Sequence, residues 1–180
     1  KPDQYKNILN EKGVRYRIVF AEGITSWQIV EALKASDFLT GEISSFPSEG
    51  SLAPRSYEVQ FGMNRLVLID LMQSEQIKIL NTAWNKKDPS SPLKTVDEAL
   101  VLASIIEKET GVASERHLVA SVFTNRIKKG MKLQTDPSVT YGITKGRKFL
   151  GRGPNKSELK LDTPYNTYIH RGLPPTPIAN

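Results

Sequence analysis

The segment Thr95–Thr110, which reads TVDEALVLASIIEKET, decides the fold of the second half of the chain. Thr95 is followed three residues later by Glu98, which is the spacing of a helix-capping box. Apolar residues then recur with helical spacing as far as Ile106. The segment therefore predicts one helix that begins at Thr95.

Glu107 lies near the end of this predicted helix and continues its apolar face. At about 100° per residue, Glu107 points in nearly the same direction as Leu100 and Ala103. A carboxylate on such a face either finds a buried partner or holds its proton at unusually high pH, because desolvation disfavours the charged form. A carboxyl that keeps its proton can serve as a general acid, whereas one paired with Lys or Arg is an ordinary boundary residue, and both interpretations stay open. Glu109 points roughly 200° away, and we expect it to be more solvated.

The composition is that of an ordinary folded protein. Hydrophobic residues make up 38% and charged residues 24% of the 180 residues, which argues against disorder and against a membrane-spanning protein. The net charge of +6 favours anionic partners such as nucleic acid, anionic lipid or an acidic cell-wall polymer. The absence of cysteine excludes disulfides and thiolate chemistry, and His117 and His170 are too few for a multi-histidine metal site. We expect no metal and no cofactor.

Residues 1–46 predict a small lobe of mixed structure. Val14–Phe20 alternates as a strand does, Gly23 then turns the chain, and Thr25 or Ser26 can cap a short helix. This order resembles a glycan-binding module of the LysM type. A plain α+β lobe without a binding role fits the same residues.

Residues 47–92 predict a connector and a long helix. Glycine and proline punctuate the connector, and apolar residues with helical spacing run from Asn64, a candidate cap, to Trp84. Lys86–Pro92 then breaks the helix and is the best candidate for a domain boundary, although a short loop between two helices of one domain fits equally. We predict an α+β fold in which the lobe is followed by a mixed helical domain with irregular loops at 93–180.

A further helix is expected after Thr110. Ser114 can cap it, and it would form a hairpin with the Glu107 helix. Its expected core stripe consists of Leu118, Val119, Val122, Phe123 and Ile127.

Three segments without clear helical spacing complete the chain. Lys132–Tyr141 gathers polar groups around a tight Asp-Pro turn, which can bind a hydroxyl-rich ligand. Residues 144–160 form a basic loop that is either simply solvated or contacts an anionic polymer. Thr163–Ile178 mixes aromatics, amides and prolines and predicts a rigid, irregular wall.

Six short motifs in the second half carry a family resemblance. They are Ala103–Glu109, Ser114–Arg116, Val122–Arg126, Leu133–Pro137, Tyr165–Tyr168 and Gly172–Pro175. Together they closely resemble the bacterial MltG (YceG-like) endolytic murein transglycosylases, and the connector at Glu49–Leu52 also fits. The resemblance implies a LysM-like lobe on a catalytic domain with one essential glutamate. It implies an enzyme that cleaves β-1,4 MurNAc-GlcNAc bonds in nascent peptidoglycan strands and leaves 1,6-anhydroMurNAc ends.

The resemblance also places the functional residues. Glu107 stands at the position of the essential acid, which acts first as acid and then as base. Glu109 and Asp136 are candidates for a second acid. The residues that match the glycan-contacting motifs are Gln134, Asp136, Tyr165, Asn166, Thr167 and Tyr168.

Partners and a location follow from the same resemblance. Peptidoglycan glycan strands are the expected substrate, and peptidoglycan synthases are candidate partners. A membrane helix of the family, absent from this chain, would hold the catalytic part on the outer side of the cytoplasmic (inner) membrane. The family continues past Asn180, so we expect the catalytic domain to be incomplete here. We find no apolar run of membrane-spanning length, no signal peptide at Lys1–Lys6 and no nucleic-acid-binding motif.

Two other functions fit the residues. One is a glycan-binding module without catalysis. The other is a glycoside hydrolase, which needs a second carboxyl about 5 to 9.5 Å from Glu107. A lytic transglycosylase manages with one carboxyl, because the sugar's own C6 hydroxyl is the nucleophile. The products distinguish the three functions. Anhydro ends indicate a lytic transglycosylase, reducing ends a hydrolase, and no cleavage a binding module.

Overall fold

The computed structural model describes residues 15–180 and mixes helices with short strands. The helices are α1 (Ser26–Lys34), α2 (Arg65–Asn85), α3 (Val96–Glu109), α4 (Arg116–Lys128) and α5 (Asp136–Thr144). The strands are β1 (Arg15–Val19), β2 (Leu39–Thr40), β3 (Ser56–Gln60) and β4 (Met63–Asn64). Short 3-10 turns lie at Ala113–Glu115 and Glu158–Lys160. The predicted α+β class is confirmed.

The strands form two small ladders. β1 pairs with β3 in antiparallel fashion, with Ile18 opposite Tyr57, and β2 pairs with β4 in parallel. The predicted strand Val14–Phe20 is confirmed over Arg15–Val19, and Val14 lies outside the described residues. The predicted lobe ends at residue 46, but β3 lies after that residue. The β1–β3 ladder therefore joins the predicted lobe to the segment that follows it. The LysM-like assignment and the domain division at 46 and 92 stay predictions.

A first hydrophobic core lies between the strands, α1 and the first half of α2. Ile29, Val30 and Leu33 from α1 pack there with Leu68 and Met72 from α2, and all five are fully buried. Because this core uses residues from both sides of the connector, the lobe and the start of the long helix are held together by apolar burial.

The predicted starts of α1 and α2 are confirmed. Thr25 Oγ1 accepts a hydrogen bond from Gln28 N over 3.3 Å, and the Gln28 side chain accepts one from Thr25 N, which completes a capping box. Asn64 Oδ1 accepts from Leu66 N over 2.8 Å at the start of α2.

A second core joins α3, α4 and the C-terminal segment. Val101, Leu102 and Ile105 pack there with Phe123 and Ile178. Thr95 caps α3, because its hydroxyl accepts a hydrogen bond from the backbone three residues on. The start that the sequence predicts for this helix is thereby confirmed.

α4 differs from its prediction in its start and in its apolar stripe. It begins at Arg116 without a side-chain cap, because Ser114 lies in the preceding 3-10 turn. Phe123 is buried as expected, but Leu118 is 60% exposed and Val122 is 51% exposed. Val119 and Ile127 are partly buried against the same core, so Leu118 and Val122 are the stripe residues left exposed.

The last residue ties the two halves of the chain together. Asn180 N donates to Ile24 O over 2.8 Å, and Asn180 O accepts from Gly23 N over 2.9 Å. The wall predicted at Thr163–Ile178 contains turns but no helix or strand, as expected.

No helix in the described part of the chain is both long enough and apolar enough to cross a membrane. Over the same residues, no group of three or more His, Asp or Glu side chains is arranged to hold a metal ion.

Candidate active site

The C-terminal turn of α3 carries three consecutive ionisable residues, Glu107, Lys108 and Glu109, whose side chains point in three different directions. Glu107 Oε2 lies 2.9 Å from Arg116 Nη2, and the same nitrogen lies 3.2 Å from Glu22 Oε2. The Glu107 side chain is 23% exposed and packs at the Gly23 turn, where a Cβ atom would lie 3.4 Å from Glu107 Cγ. Within residues 15–180, Arg116 Nε is buried without a hydrogen-bond partner. Glu107 therefore has a cationic partner, one of the two outcomes expected for it.

The prediction that Glu107 continues the apolar face of α3 is wrong. Val101, Leu102 and Ile105 are buried, whereas Ala103 is exposed. Ile105 precedes Glu107 by two residues and points about 200° away from it. The core takes the bulky side chains and leaves the small alanine outside, because burying larger apolar area stabilises more. The partial burial of Glu107 comes from its ion pair and the glycine turn instead.

Glu109 is the carboxylate of α3 that reaches the polar segments. It lies four residues after Ile105, and it accepts a hydrogen bond from the hydroxyl of Thr135, which is buried. Glu109 also lines a surface pocket of about 270 Å³ together with Arg126 and Gln134. It is exposed, as predicted, and it contacts the Lys132–Tyr141 segment directly.

The Lys132–Tyr141 segment enters a helix where a tight turn was predicted, so that prediction is wrong. Asp136 is the first residue of α5, and Pro137 stands in its first turn, where a missing N–H leaves no hydrogen bond unmade. Just before the helix, Gln134 has φ +56°, and its N–H donates to Thr167 O over 3.1 Å. This bond joins the segment to the irregular wall.

Side-chain contacts also join α5 to the wall. Tyr168 OH donates to Asp136 Oδ1 over 2.6 Å, and this hydrogen bond raises the pKa of Tyr168 to about 12. The Tyr141 and Tyr165 rings lie 5.0 Å apart, centroid to centroid. Lys145 Nζ lies 4.0 Å from the centroid of the Tyr165 ring. The structure thus brings the two predicted glycan-contacting segments together.

Asn166 and Thr167 are buried, and their polar groups bond within the protein. Asn166 Nδ2 donates to Leu159 O over 3.0 Å and to Leu161 O over 2.8 Å, and its Oδ1 accepts from Tyr168 N. Thr167 Oγ1 accepts a hydrogen bond from Thr135 N, just before α5. These two residues shape the wall, while the other four predicted contact residues keep exposed surface.

A cavity of about 340 Å³ opens between α1, α5 and the basic loop. Lys108, Asp136 and Tyr141 line it, but Glu107 is not among its lining residues. Glu109 hydrogen-bonds to the Lys132–Tyr141 segment through Thr135, and Lys108 lines the cavity. That both polar segments flank the Glu107 carboxylate stays a prediction.

Glu49, part of the predicted connector, is a partly buried carboxylate that accepts hydrogen bonds from both halves of the chain. Its Oε1 accepts from Ser26 N over 2.7 Å and from Asn180 Nδ2 over 2.9 Å, and its Oε2 accepts from Tyr141 OH over 3.0 Å. Burial raises the pKa of Glu49. The pKa of Tyr141 is also raised, first by burial and then by the neighbouring charge of Glu49. In the sequence, only its position directly before Gly50 in the connector distinguished Glu49 from the other glutamates.

Replacing Glu49 by Gln should change how stability depends on pH. The folded pKa of Glu49 is raised above its ordinary value of 4.5. The contribution of Glu49 to the free energy of unfolding is therefore fully present below the unfolded pKa and is lost as pH rises through the folded pKa. Gln does not titrate, so the Tm of Glu49→Gln relative to wild type should rise over that interval and then level off. Glu42→Gln, at an exposed position, should follow wild type. Melting curves between about pH 4 and 8 test this, and a pH-independent difference would contradict it.

Comparisons with known proteins match the chain to one family. The model of the YceG-like family matches residues 1–180. A Bacillus subtilis (strain 168) protein named endolytic murein transglycosylase is 39% identical over 136 residues, which cover 74% of this chain and 36% of the relative. A Streptococcus pneumoniae (serotype 2, strain D39) protein of the same name is 28% identical over 180 residues, covering 88% of this chain and 32% of the relative. This chain spans about a third of the length of these curated relatives.

A solved structure shows the same fold. The 2.6 Å crystal structure of a yceG-like protein from Listeria monocytogenes superposes with a TM-score of 0.71 at 25% sequence identity. The superposition covers 100% of this chain and 68% of that chain.

Proposed function

The chain belongs to the YceG-like family, and from this premise we propose that it acts in an endolytic murein transglycosylase, a lyase that cleaves peptidoglycan strands. The observation that carries the proposal is the family match over residues 1–180, joined with the similarity to two proteins of that name. The bond proposed is the β-1,4 linkage from MurNAc to GlcNAc in nascent strands, cut to leave a 1,6-anhydroMurNAc end.

Glu107 is the proposed acid and base. Its carboxyl gives a proton to the glycosidic oxygen as the C1–O bond breaks, and positive charge develops at C1 of the muramic acid. The resulting carboxylate then takes the proton of the C6 hydroxyl while O6 bonds to C1 and closes the anhydro ring. The proton returns to Glu107, so the cycle balances without water.

Arg116 is the cationic partner expected of an ordinary boundary glutamate, and in the proposed mechanism it serves to orient Glu107. Its Nη2 holds one oxygen of Glu107 at 2.9 Å, which fixes the orientation of the carboxyl group.

The polar segments serve as the glycan-contacting wall. Gln134 and Asp136 offer amide and carboxylate groups, and Tyr165 and Tyr168 offer rings and hydroxyls, which is the chemistry that sugar hydroxyls and ring faces require. Asn166, buried behind them, holds the wall in place.

Glu109 is the candidate second carboxyl for a rival hydrolysis reaction. It lies two residues from the proposed acid on α3 but points about 200° away from it, and a two-carboxylate hydrolase, which would need both carboxylates, is the rival reaction. A binding module without catalysis is the other alternative.

For the whole protein, we propose that it works at the outer face of the cytoplasmic membrane, anchored by a helix outside this chain. Peptidoglycan synthases are the proposed partners, because they make the nascent strands that it would cut.

The test is mass spectrometry of purified peptidoglycan after incubation with the protein. Internal cuts that leave 1,6-anhydro ends are expected. Reducing ends would favour the two-carboxylate hydrolase, and an uncut but bound polymer would favour the binding module.

A further inference from the structure

Among residues 15–180, Phe149 is the most exposed of the large hydrophobic side chains, at 87%. It lies on the loop 146–154, next to Lys148, and it lines the cavity of about 340 Å³. A single exposed apolar residue is ordinary on a protein surface. An aromatic ring that lines a mainly apolar cavity with a few polar side chains is typical of a ligand site.

The loop that carries Phe149 is held at both ends. At its start, Thr25 Oγ1 donates to Gly146 O over 2.8 Å and ties the loop to α1. At its end, Arg152 bonds both oxygens of Glu158 over 2.7 and 2.9 Å. The ring is therefore presented by an anchored loop, which lowers the entropy cost of ordering it around a ligand.

The wall of the cavity that α5 forms carries polar side chains among apolar ones. Asp136, Thr140 and Thr144 follow each other at intervals of four residues along α5, so their side chains share one face. Gln28 of α1 also lines the cavity. Its volume lies within the roughly 300–1,000 Å³ of small-ligand pockets. Hydroxyl, amide and carboxylate groups opposite an aromatic ring match a sugar, which has polar edges and an apolar C–H face.

The charge of the cavity favours an acidic ligand. Lys108 and Lys148 line it, and neither forms a salt bridge within the part of the chain that the structure describes. Asp136 is the carboxylate that lines it, and it already accepts the Tyr168 hydroxyl. Two lysine charges facing one engaged carboxylate leave a positive field for an anionic substituent.

We propose that this cavity binds one N-acetylhexosamine unit of a glycan strand that carries an acidic substituent, with Phe149 stacked on the sugar ring and Lys148 paired with the carboxylate. The inference rests on the proposed function, which supplies strands whose muramyl units bear acidic peptides. It adds a sugar subsite on the Lys108 side of Glu107.

Steady-state cleavage of soluble peptidoglycan strands tests the subsite. Phe149→Ala should raise KM about tenfold at nearly unchanged kcat, because the ring binds substrate and transition state alike. Phe149→Tyr keeps the ring and should stay within about twofold of wild type. Lys148→Ala should raise KM for strands with free carboxylates but not for strands whose carboxylates have been amidated.

Phe61→Ala is the matched control, since Phe61 is an exposed aromatic (55%) outside the cavity. A KM for Phe149→Ala equal to that of Phe61→Ala overturns the subsite. If wild type cleaves nothing, the proposed function fails, and the same variants are compared by co-sedimentation with purified peptidoglycan. About tenfold weaker binding of Phe149→Ala alone then supports the subsite, and equal binding overturns it.

Discussion

Replacing Glu107 by Gln is expected to lower the rate of glycan cleavage by roughly 10²–10⁴-fold, the usual contribution of a general acid. Gln keeps the shape and hydrogen-bonding capacity of the side chain but has no proton to transfer to the glycosidic oxygen. Binding of the strand should survive, because the proposed contacts of the wall do not involve this proton. Initial rates on purified glycan strands, with co-sedimentation for binding, measure both quantities.

The same substitution should leave the fold intact. Glu107 and Arg116 form a partly exposed pair, with side-chain exposures of 23% and 38%, and such pairs contribute about 0.2–1 kcal/mol. We therefore expect the free energy of unfolding of Glu107→Gln to lie within about 1 kcal/mol of wild type. A variant that unfolds under assay conditions would mean that Glu107 is structural and that lost cleavage says nothing of acid catalysis.

Replacing Asn166 by Leu is expected to cost about 2–4 kcal/mol of stability. The substitution removes two hydrogen bonds to the carbonyls of Leu159 and Leu161 and one from Tyr168 N, at a side chain with no solvent exposure. Leu has a similar volume, so lost hydrogen bonds rather than a cavity should dominate the effect. Urea denaturation should show a lower midpoint with the same m-value.

Asn81→Leu is the control for that measurement, because Asn81 is exposed on α2. It should change stability by no more than about 0.5 kcal/mol. If both variants lose the same small amount, the hydrogen bonds of Asn166 do not hold the wall together, and its role as a positioning residue is contradicted.

Local signals in the sequence were sufficient for the starts of α1, α2 and α3. The hydroxyl of Thr25, the amide of Asn64 and the hydroxyl of Thr95 each satisfy a nearby backbone N–H, so a few neighbouring residues decide the outcome. Pro137 was misread for the same local reason. It fits a turn and a first helical position equally well, and the contacts of α5 with the wall favour the helix.

The buried face of α3 could not be read from spacing alone. Val101, Leu102 and Ile105 compete with Leu100 and Ala103 for the core, and the packing of α4 and the C-terminal segment decides between them. Burial on α4 is set in the same way, by neighbours far along the chain. Periodicity predicts that a helix has an apolar face, but tertiary contacts choose which face is buried.

The arrangement of the candidate site is also a tertiary property. The hydrogen bonds that Glu49 accepts come from residues 23, 92 and 131 positions away. The sequence motifs predicted that polar groups would gather at the wall, and the contact between Asp136 and Tyr168 agrees with that. Nothing local showed that Glu109, rather than Glu107, would bond to this region.

The measurement that tests the central claim most directly counts the 1,6-anhydro ends formed by Glu107→Gln and Glu109→Gln side by side with wild type. The two carboxylates are two residues apart on α3, and each makes one polar contact of its own, with Arg116 or with Thr135. We expect Glu109→Gln to keep forming anhydro ends and Glu107→Gln to form almost none. Anhydro ends from Glu107→Gln at the wild-type rate, together with their loss in Glu109→Gln, would contradict the assignment of the acid.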